Sequence, residues 1–193
     1  RDHDDAVAIA RNAQGHLQLW VAIADVAHYV KEGSPMDQEA FRRGTSVYFP
    51  EKALPMIPPR LSNGICSLNP EEDRLCLTVA MEFDGRGRRV RSEIFPSIIR
   101  SRARLTYPMV QKMLEFQDGE FISRSPEIAR DLEWMAELCR LLYRSRMRRG
   151  AIDLDLPEAE VILGKNGEIE KIVRAERHIG HRIIEEFMIA ANE

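Results

Sequence analysis

The sequence predicts an α/β fold of the α+β kind, in which mixed, largely antiparallel sheets are built from hairpins and packed with helices. Two pairs of apolar, strand-like segments are each joined by a short polar turn containing glycine: 6–11 with 17–25, and 75–83 with 88–95. Apolar residues recur at helical spacing in two later segments, 126–149 and from about Arg177 onward. With 193 residues and 44% hydrophobic content, the chain can bury a sizeable core.

Composition narrows the class of protein. The net charge is only -3, so the overall charge does not by itself indicate nucleic-acid binding. No apolar run is long enough to span a bilayer, and the first residues are charged instead of forming a secretion signal. Cys66, Cys76 and Cys139 are odd in number and form no CxxC pair, which is typical of reduced thiols in a core. A cytoplasmic protein without a membrane partner is expected.

The segment between the two hairpins combines a helix with a proline-rich passage. Ser34-Pro35 predicts the start of a short helix that runs through Arg42 or Arg43. The prolines in 54–60 exclude a regular helix there. That passage is either an ordered functional loop or a wrap around the core, and the sequence favours neither.

After the second hairpin, Ile98 to Arg104 alternates apolar and basic residues. Period two places Arg100, Arg102 and Arg104 on one face, where they could bind phosphates or remain solvated. Both interpretations stay open.

The second half of the chain is expected to be mainly helical, with one strand and one hairpin between the helices. The predicted elements are a helix from Tyr107 to about Phe116, a helix from Pro126 to about Arg149, a strand at 150–157, a hairpin of 159–163 with 169–173, and a last helix from about Arg177. Several arginines lie near the end of the second helix, where they interact favourably with the helix dipole and could also contact RNA or DNA. They are Arg140, Arg144, Arg146, Arg148 and Arg149.

The first five residues contain an acidic cluster. Asp2, Asp4 and Asp5 directly precede an apolar strand, and carboxylate oxygens are the ligands that Mg²⁺ or Mn²⁺ prefers. In an extended chain Asp2 and Asp4 share a face and Asp5 points the other way, so the three converge only if the segment bends. A solvated turn or a helix cap explains the same residues. Asp25, which follows the second strand, is interpreted as a helix cap, with a further site acid as the alternative.

The segment His178-Ile179-Gly180-His181 matches two known motifs only superficially. Histidines three residues apart could bind zinc, but no cysteine or third histidine lies near them in sequence. The HIGH signature of class I aminoacyl-tRNA synthetases follows a first strand, whereas this segment lies in the last helix. A solvated basic helix face is expected instead.

Taken in order, several stretches resemble the catalytic (RNB) domain of the ribonuclease II and ribonuclease R exoribonucleases. The similarity covers essentially the whole chain, 1–193, as the first half of that domain. The stretches that carry it are Arg1-Asp2-His3-Asp4-Asp5-Ala6-Val7, Val21-Ala22-Ile23-Ala24-Asp25-Val26, Gly44-Thr45-Ser46-Val47-Tyr48-Phe49-Pro50, Pro55-Met56-Ile57-Pro58, Leu61-Ser62-Asn63-Gly64-Ile65-Cys66-Ser67-Leu68 and Ile184-Glu185-Glu186-Phe187-Met188-Ile189-Ala190-Ala191-Asn192.

The resemblance implies a processive, Mg²⁺-dependent 3′→5′ hydrolase that degrades single-stranded RNA to nucleoside 5′-monophosphates. It implies four aspartates around two metal ions, and Asp2, Asp4 and Asp5 match the last three. It also implies that Tyr48 stacks against terminal bases and that Tyr107 and Glu185 contact ribose. Beside these implied roles, the sequence permits a core tyrosine at 48, a helix-start residue at 107 and a solvent-exposed acid at 185.

The chain also departs from the family pattern. Leu154 stands where bacterial relatives often have phenylalanine, so a looser clamp on the last base is expected. The first metal-site aspartate, a catalytic arginine, a further glutamate and the flanking cold-shock and S1 domains are expected outside this sequence. The alternative function is therefore a catalytically silent RNA-binding or structural segment.

Overall fold

The computed structural model describes residues 3–49, 52–115, 125–152, 159–164, 168–174 and 178–193. The first half of the chain contains a hairpin, two helices, a small strand pair, a π-helix and a second hairpin. These elements are β1 (Asp5–Arg11), β2 (Leu17–Ala24), α1 (Val26–Tyr29), α2 (Pro35–Arg43), β3 (Val47–Tyr48), β4 (Ala53–Leu54), the π-helix (Arg60–Ile65), β5 (Asp73–Phe83) and β6 (Arg89–Arg100). The second half contains α3 (Tyr107–Glu115), α4 (Pro126–Arg148), β7 (Ala159–Leu163), β8 (Ile169–Arg174) and α5 (Ile179–Asn192).

The two long hairpins form one antiparallel sheet with the strand order β1-β2-β5-β6. Asn12 closes the first turn because its Oδ1 accepts hydrogen bonds from the amides of Gln14 and His16 at 3.0 Å each. In the second turn Gly87 has a φ of 74° and lies so close to Leu141 of α4 that a Cβ would approach the Leu141 Cβ at 2.8 Å. Glycine at 87 thus permits both the turn and its contact with the helix.

One face of the sheet packs against α3, α4 and α5. Strand pairing aligns Ile9, Leu19 and Met81 in one row across β1, β2 and β5. These side chains are buried with Leu138 of α4 and Phe187 of α5, both of which are 0% exposed. The amphipathic helices supply the apolar face that a half-buried antiparallel sheet requires.

A smaller cluster covers part of the opposite face. Ala22, Ala24 and Cys76 are buried there against Leu68, which follows the π-helix. The three cysteines are free and buried, as predicted for core thiols. Burial raises the pKa of both Cys76 and Cys139 to about 11, so these thiols stay protonated at neutral pH.

The hairpins and helices predicted from the sequence are confirmed, and two details differ. Strand β6 extends to Arg100, so Ile98 to Arg100 is not a separate segment. The proline-rich passage leads into a π-helix, in which the amide of Cys66 donates to the carbonyl of Leu61 at 3.0 Å. The predicted strand at 150–157 falls largely outside the described residues. No helix in the described parts of the chain is long and apolar enough to cross a membrane.

Candidate functional site

The acidic segment at the chain start is fixed between β2 and the end of the π-helix. The carbonyl of Asp4 accepts from the amide of Ala24 at 2.9 Å, which extends the β1–β2 pairing by one step. The carbonyl of His3 accepts from the amide of Leu68 at 2.9 Å, and the amide of His3 donates to Ser67 Oγ at 3.0 Å. The backbone that carries the acids is therefore held on both sides.

Asp4 and Asp5 are both exposed and lie in different surroundings. The pKa of the buried Cys66 thiol is raised first by burial and then by the charge of Asp4, with a smaller contribution from Asp25, while Arg74 lowers it. Asp4 and Asp25 therefore both lie close enough to Cys66 to interact with it electrostatically. Asp5 instead lines the large cavity described below. This difference agrees with the alternation expected for an extended segment.

Carboxylate oxygens at Asp4 and Asp5 are suitable ligands for a hard cation such as Mg²⁺ or Mn²⁺. Among the described residues, however, no three His, Cys, Asp or Glu side chains are grouped closely enough to hold a metal ion. Asp2 lies outside the described residues. His3 contributes a further polar atom, because its Nε2 is buried and has no hydrogen-bond partner in the described part of the chain.

A cavity of about 740 Å³ runs along β1 and extends to α3, α4 and α5. Asp5 and His3 line it on the strand side, and Tyr107 and Ile184 line it on the helix side. This volume is in the usual range for small-molecule pockets. The fold therefore brings Asp5 and Tyr107, which are far apart in sequence, to the same cavity.

Arg104 also lines this cavity and has no ion-pair partner among the described residues. Its two neighbours in the predicted basic face are paired: Arg100 Nε lies 2.8 Å from Asp73 Oδ1, and Arg102 Nη1 lies 3.3 Å from Glu127 Oε2. Within the predicted arginine face, Arg104 is thus the side chain best placed to meet a phosphate in the cavity.

Tyr107 is the first residue of α3, as predicted, and is 40% exposed. Its ring stacks on the ring of His181, with 3.7 Å between centroids and 29° between planes. Glu185 follows His181 by one helical turn, so both lie on the same face of α5. The prediction that His178 and His181 lie on a solvated basic face is wrong, since both are partly buried and His181 packs against Tyr107.

Glu185 is partly exposed, with its carboxylate 3.8 Å from Arg146 Nη2. Its neighbour Glu186 is the buried partner of that arginine. Arg146 Nε and Nη2 donate to Glu186 Oε1 at 3.0 and 2.6 Å, and the two side chains are only 14% and 4% exposed. This pair is not among the features predicted from the sequence, although an acid between Ile183 and Phe187 on an apolar helix face indicates that a buried partner exists.

Tyr48 lies on the small β3–β4 pair and is 69% exposed. The alternative of a core tyrosine is therefore wrong, and the ring is accessible for stacking. Leu154, the expected partner across the base, lies outside the described residues. Asp25 is confirmed as a helix cap, because its Oδ1 accepts from the amide of His28 at 3.0 Å.

Comparisons with known proteins identify the family of the chain. The RNB domain family matches residues 1–193. Ribonuclease R of Aquifex aeolicus is 48% identical over 192 residues, which are 100% of this chain and 27% of that protein. The chain belongs to the RNB domain family, and it spans about a quarter of the length of such relatives.

Solved structures show the same relationship. The chain superimposes on Mycoplasma genitalium RNase R in complex with ribose methylated single-stranded RNA with a TM-score of 0.88 and 34% identity, covering 100% of this chain and 30% of that one. The complex of the same enzyme with double-stranded RNA gives a TM-score of 0.89, with 34% identity and coverage of 100% and 34%. The fold predicted from the sequence is thereby confirmed.

Proposed function

We propose that this chain is part of the catalytic domain of a cytoplasmic 3′→5′ exoribonuclease that hydrolyses single-stranded RNA to nucleoside 5′-monophosphates. The observation that carries the proposal is the shared cavity of Asp5 and Tyr107, in a chain of the RNB family. Relatives named ribonuclease R and a structure of one of them with single-stranded RNA support the choice of substrate.

In this proposal the acidic segment contributes ligands to a site for two Mg²⁺ ions. Asp4 and Asp5, together with Asp2, would supply the oxygen ligands, and Mn²⁺ would fit the same donors. A metal bound there would polarise the phosphate of the RNA and lower the pKa of a bound water. The hydrogen bonds of the His3 and Asp4 backbone fix the main chain that carries the Asp4 and Asp5 side chains, which reduces the reorganisation needed to bind a cation.

The remaining residues bind the RNA strand. Tyr48 offers an exposed ring on which any base can stack, which suits binding without sequence preference. Tyr107 and Glu185 contact a ribose, whose 2′-hydroxyl both donates and accepts hydrogen bonds. Arg104 is available to a phosphate within the same cavity.

The experiment is to replace Asp5 with asparagine in the full-length protein that carries this chain. Asp5→Asn should lower Mg²⁺-dependent release of mononucleotides from an RNA oligomer by at least about 100-fold, the upper end of what loss of a group supporting a metal costs. Asp84→Asn is the matched control, because Asp84 is bonded within its own turn and should leave hydrolysis unchanged.

Undiminished hydrolysis by Asp5→Asn would refute the assigned site. Binding of the RNA without any Mg²⁺- or Mn²⁺-dependent hydrolysis by the unaltered full-length protein would instead establish the alternative, a silent RNA-binding module.

A further inference from the structure

We propose that His181 is a positioning residue that sets the ring of Tyr107 for contact with ribose. The inference rests on the proposed function, and it assigns a role to the His178–His181 segment, which neither metal chemistry nor a nucleotide motif explains. It concerns how the site distinguishes RNA from DNA, since the 2′-hydroxyl is the group that differs.

The first observation is that Tyr107 is held on more than one side by the start of α5. One face of its ring stacks on His181 at 3.7 Å. Gly180 lies against the ring edge, where a Cβ would come within 3.0 Å of Tyr107 Cδ1. A Cβ at 180 would require the ring to shift by a few tenths of an ångström, so the glycine and the histidine together define where the ring lies.

The second observation is that His181 is itself fixed. Its Nδ1 accepts a hydrogen bond from the backbone amide of His178 at 3.1 Å, while its own amide donates to the carbonyl of His178 at 3.0 Å. The side chain thus satisfies an amide that the first turn of the helix would otherwise leave unpaired. In this arrangement the neutral imidazole carries its proton on Nε2.

The third observation is the position of His181 relative to the rest of the site. The stacked Tyr107 lines the cavity that contains Asp5, and Glu185 lies one helical turn after His181 on the same face of α5. His181 is therefore the link between the two residues proposed to contact ribose. A shift of its ring would move Tyr107 relative to both Glu185 and the acidic end of the cavity.

The activity test uses the full-length protein and RNA oligomers that carry a single 2′-deoxynucleotide at successive positions. Hydrolysis by the unaltered protein should slow when the substituted sugar reaches the site. His181→Asn keeps a side-chain acceptor for the His178 amide but removes the ring, and it should weaken this slowing by about 10- to 100-fold, since a misplacement of ~1 Å can cost about 100-fold. His181→Phe keeps the ring and should retain the discrimination.

Gly180→Ala is the second variant, because it displaces Tyr107 without removing any hydrogen bond. Alanine is intrinsically better than glycine in a helix, so lost discrimination in a variant of undiminished thermal stability cannot result from a weakened helix. Retained discrimination in folded His181→Asn overturns the proposal. Loss of discrimination in His181→Phe as large as in His181→Asn also overturns it, since an aromatic ring at position 181 would then not be enough to hold Tyr107 in place.

A spectroscopic measurement separates this inference from the proposed function. 3-Fluorotyrosine placed at position 107 gives one ¹⁹F resonance that senses the ring current of the stacked imidazole. The resonance should shift in His181→Asn and remain close to its original position in His181→Phe, whether or not the protein hydrolyses RNA. An unchanged resonance in His181→Asn overturns the ring contact, whereas absent hydrolysis by the unaltered protein overturns only the proposed function.

Discussion

The acids at the two ends of the four-stranded sheet have different surroundings. At the turn end, Glu82 accepts from Asn12 Nδ2 at 3.0 Å and lies 2.7 Å from His16 Nδ1. Asp84 accepts from the amides of Arg86 and Arg88 and from Arg88 Nε, at 2.8 to 3.0 Å. Asp84 is thus bonded by groups of its own turn, and Glu82 by groups of the turn between β1 and β2.

At the opposite end, the Asp5 carboxylate has no hydrogen bond or ion pair with a described side chain, and Asp4 and Asp25 both raise the pKa of the nearby Cys66. The chain does supply cations there, since Arg100 pairs with Asp73 at 2.8 Å. Arginines are thus present at this end of the sheet, but none of the described ones pairs with the Asp5 carboxylate. Acids that are already bonded stabilise the fold, whereas an acid left exposed in a cavity is available to a ligand and contributes little to stability.

The largest effect is expected where a bonded acid is also buried, at Glu186. Glu186→Gln should lower the free energy of unfolding by about 3 kcal/mol, the lower end of the cost of breaking a buried pair, because the buried Arg146 then loses its closer carboxylate and retains the more distant one of Glu185 at 3.8 Å. Urea denaturation provides the measurement, and Glu185→Gln is the neighbouring control with a partly exposed side chain. If the two variants were equally stable, bonding and burial would not distinguish structural acids from site acids.

The same contrast shows which features a sequence can reveal. The hairpins, the helices and the Asp25 cap depend on residues close in the chain, so periodicity and turn residues predict them. The Arg146–Glu186 pair and the Tyr107–His181 stack join residues from different helices, and only tertiary packing determines them. The π-helix after Pro59 was also missed, because prolines indicate where a regular helix is excluded and not which irregular one forms.

The candidate site divides in the same way. Motif resemblance selected Asp4, Asp5, Tyr48, Tyr107 and Glu185 among the described residues, besides Asp2 and Leu154 outside them, but it did not indicate which of them share a cavity. Asp5 and Tyr107 line the same cavity because β1 and α3 are brought together by the core around Ile9 and Phe187. Their convergence is a property of the fold and is not visible in the local sequence.

The next-largest effects are expected from mutations that compare the two ends of the sheet directly. Glu82→Ala should lower the free energy of unfolding by about 1–3 kcal/mol, since Asn12 and His16 lose their shared acceptor, and it should leave RNA hydrolysis by the full-length protein unchanged. Asp5→Ala should do the opposite, with stability within about 0.5 kcal/mol of the original and hydrolysis lost. Thermal unfolding and mononucleotide release measure the two effects, and impaired hydrolysis in folded Glu82→Ala would remove the distinction.

The smallest effect concerns Asp84, whose partly exposed carboxylate is bonded within a surface turn, where solvent weakens the interaction. The backbone hydrogen bond from Arg88, assisted by its side chain and by the amide of Arg86, lowers the pKa of Asp84 from 3.8 to about 2. A carboxyl with a lowered pKa in the folded state stabilises the protein above its ordinary pKa, and that contribution is lost as the pH falls through the folded value. The midpoint temperature of unfolding of the unaltered protein should therefore exceed that of Asp84→Asn at neutral pH, and the difference should close between pH 3.8 and about 2.

Asp73, whose pKa is lowered by Arg100, is present in both proteins, so its effect cancels in the comparison. A difference that stayed constant down to pH 2 would show that the carboxylate charge does not stabilise the turn.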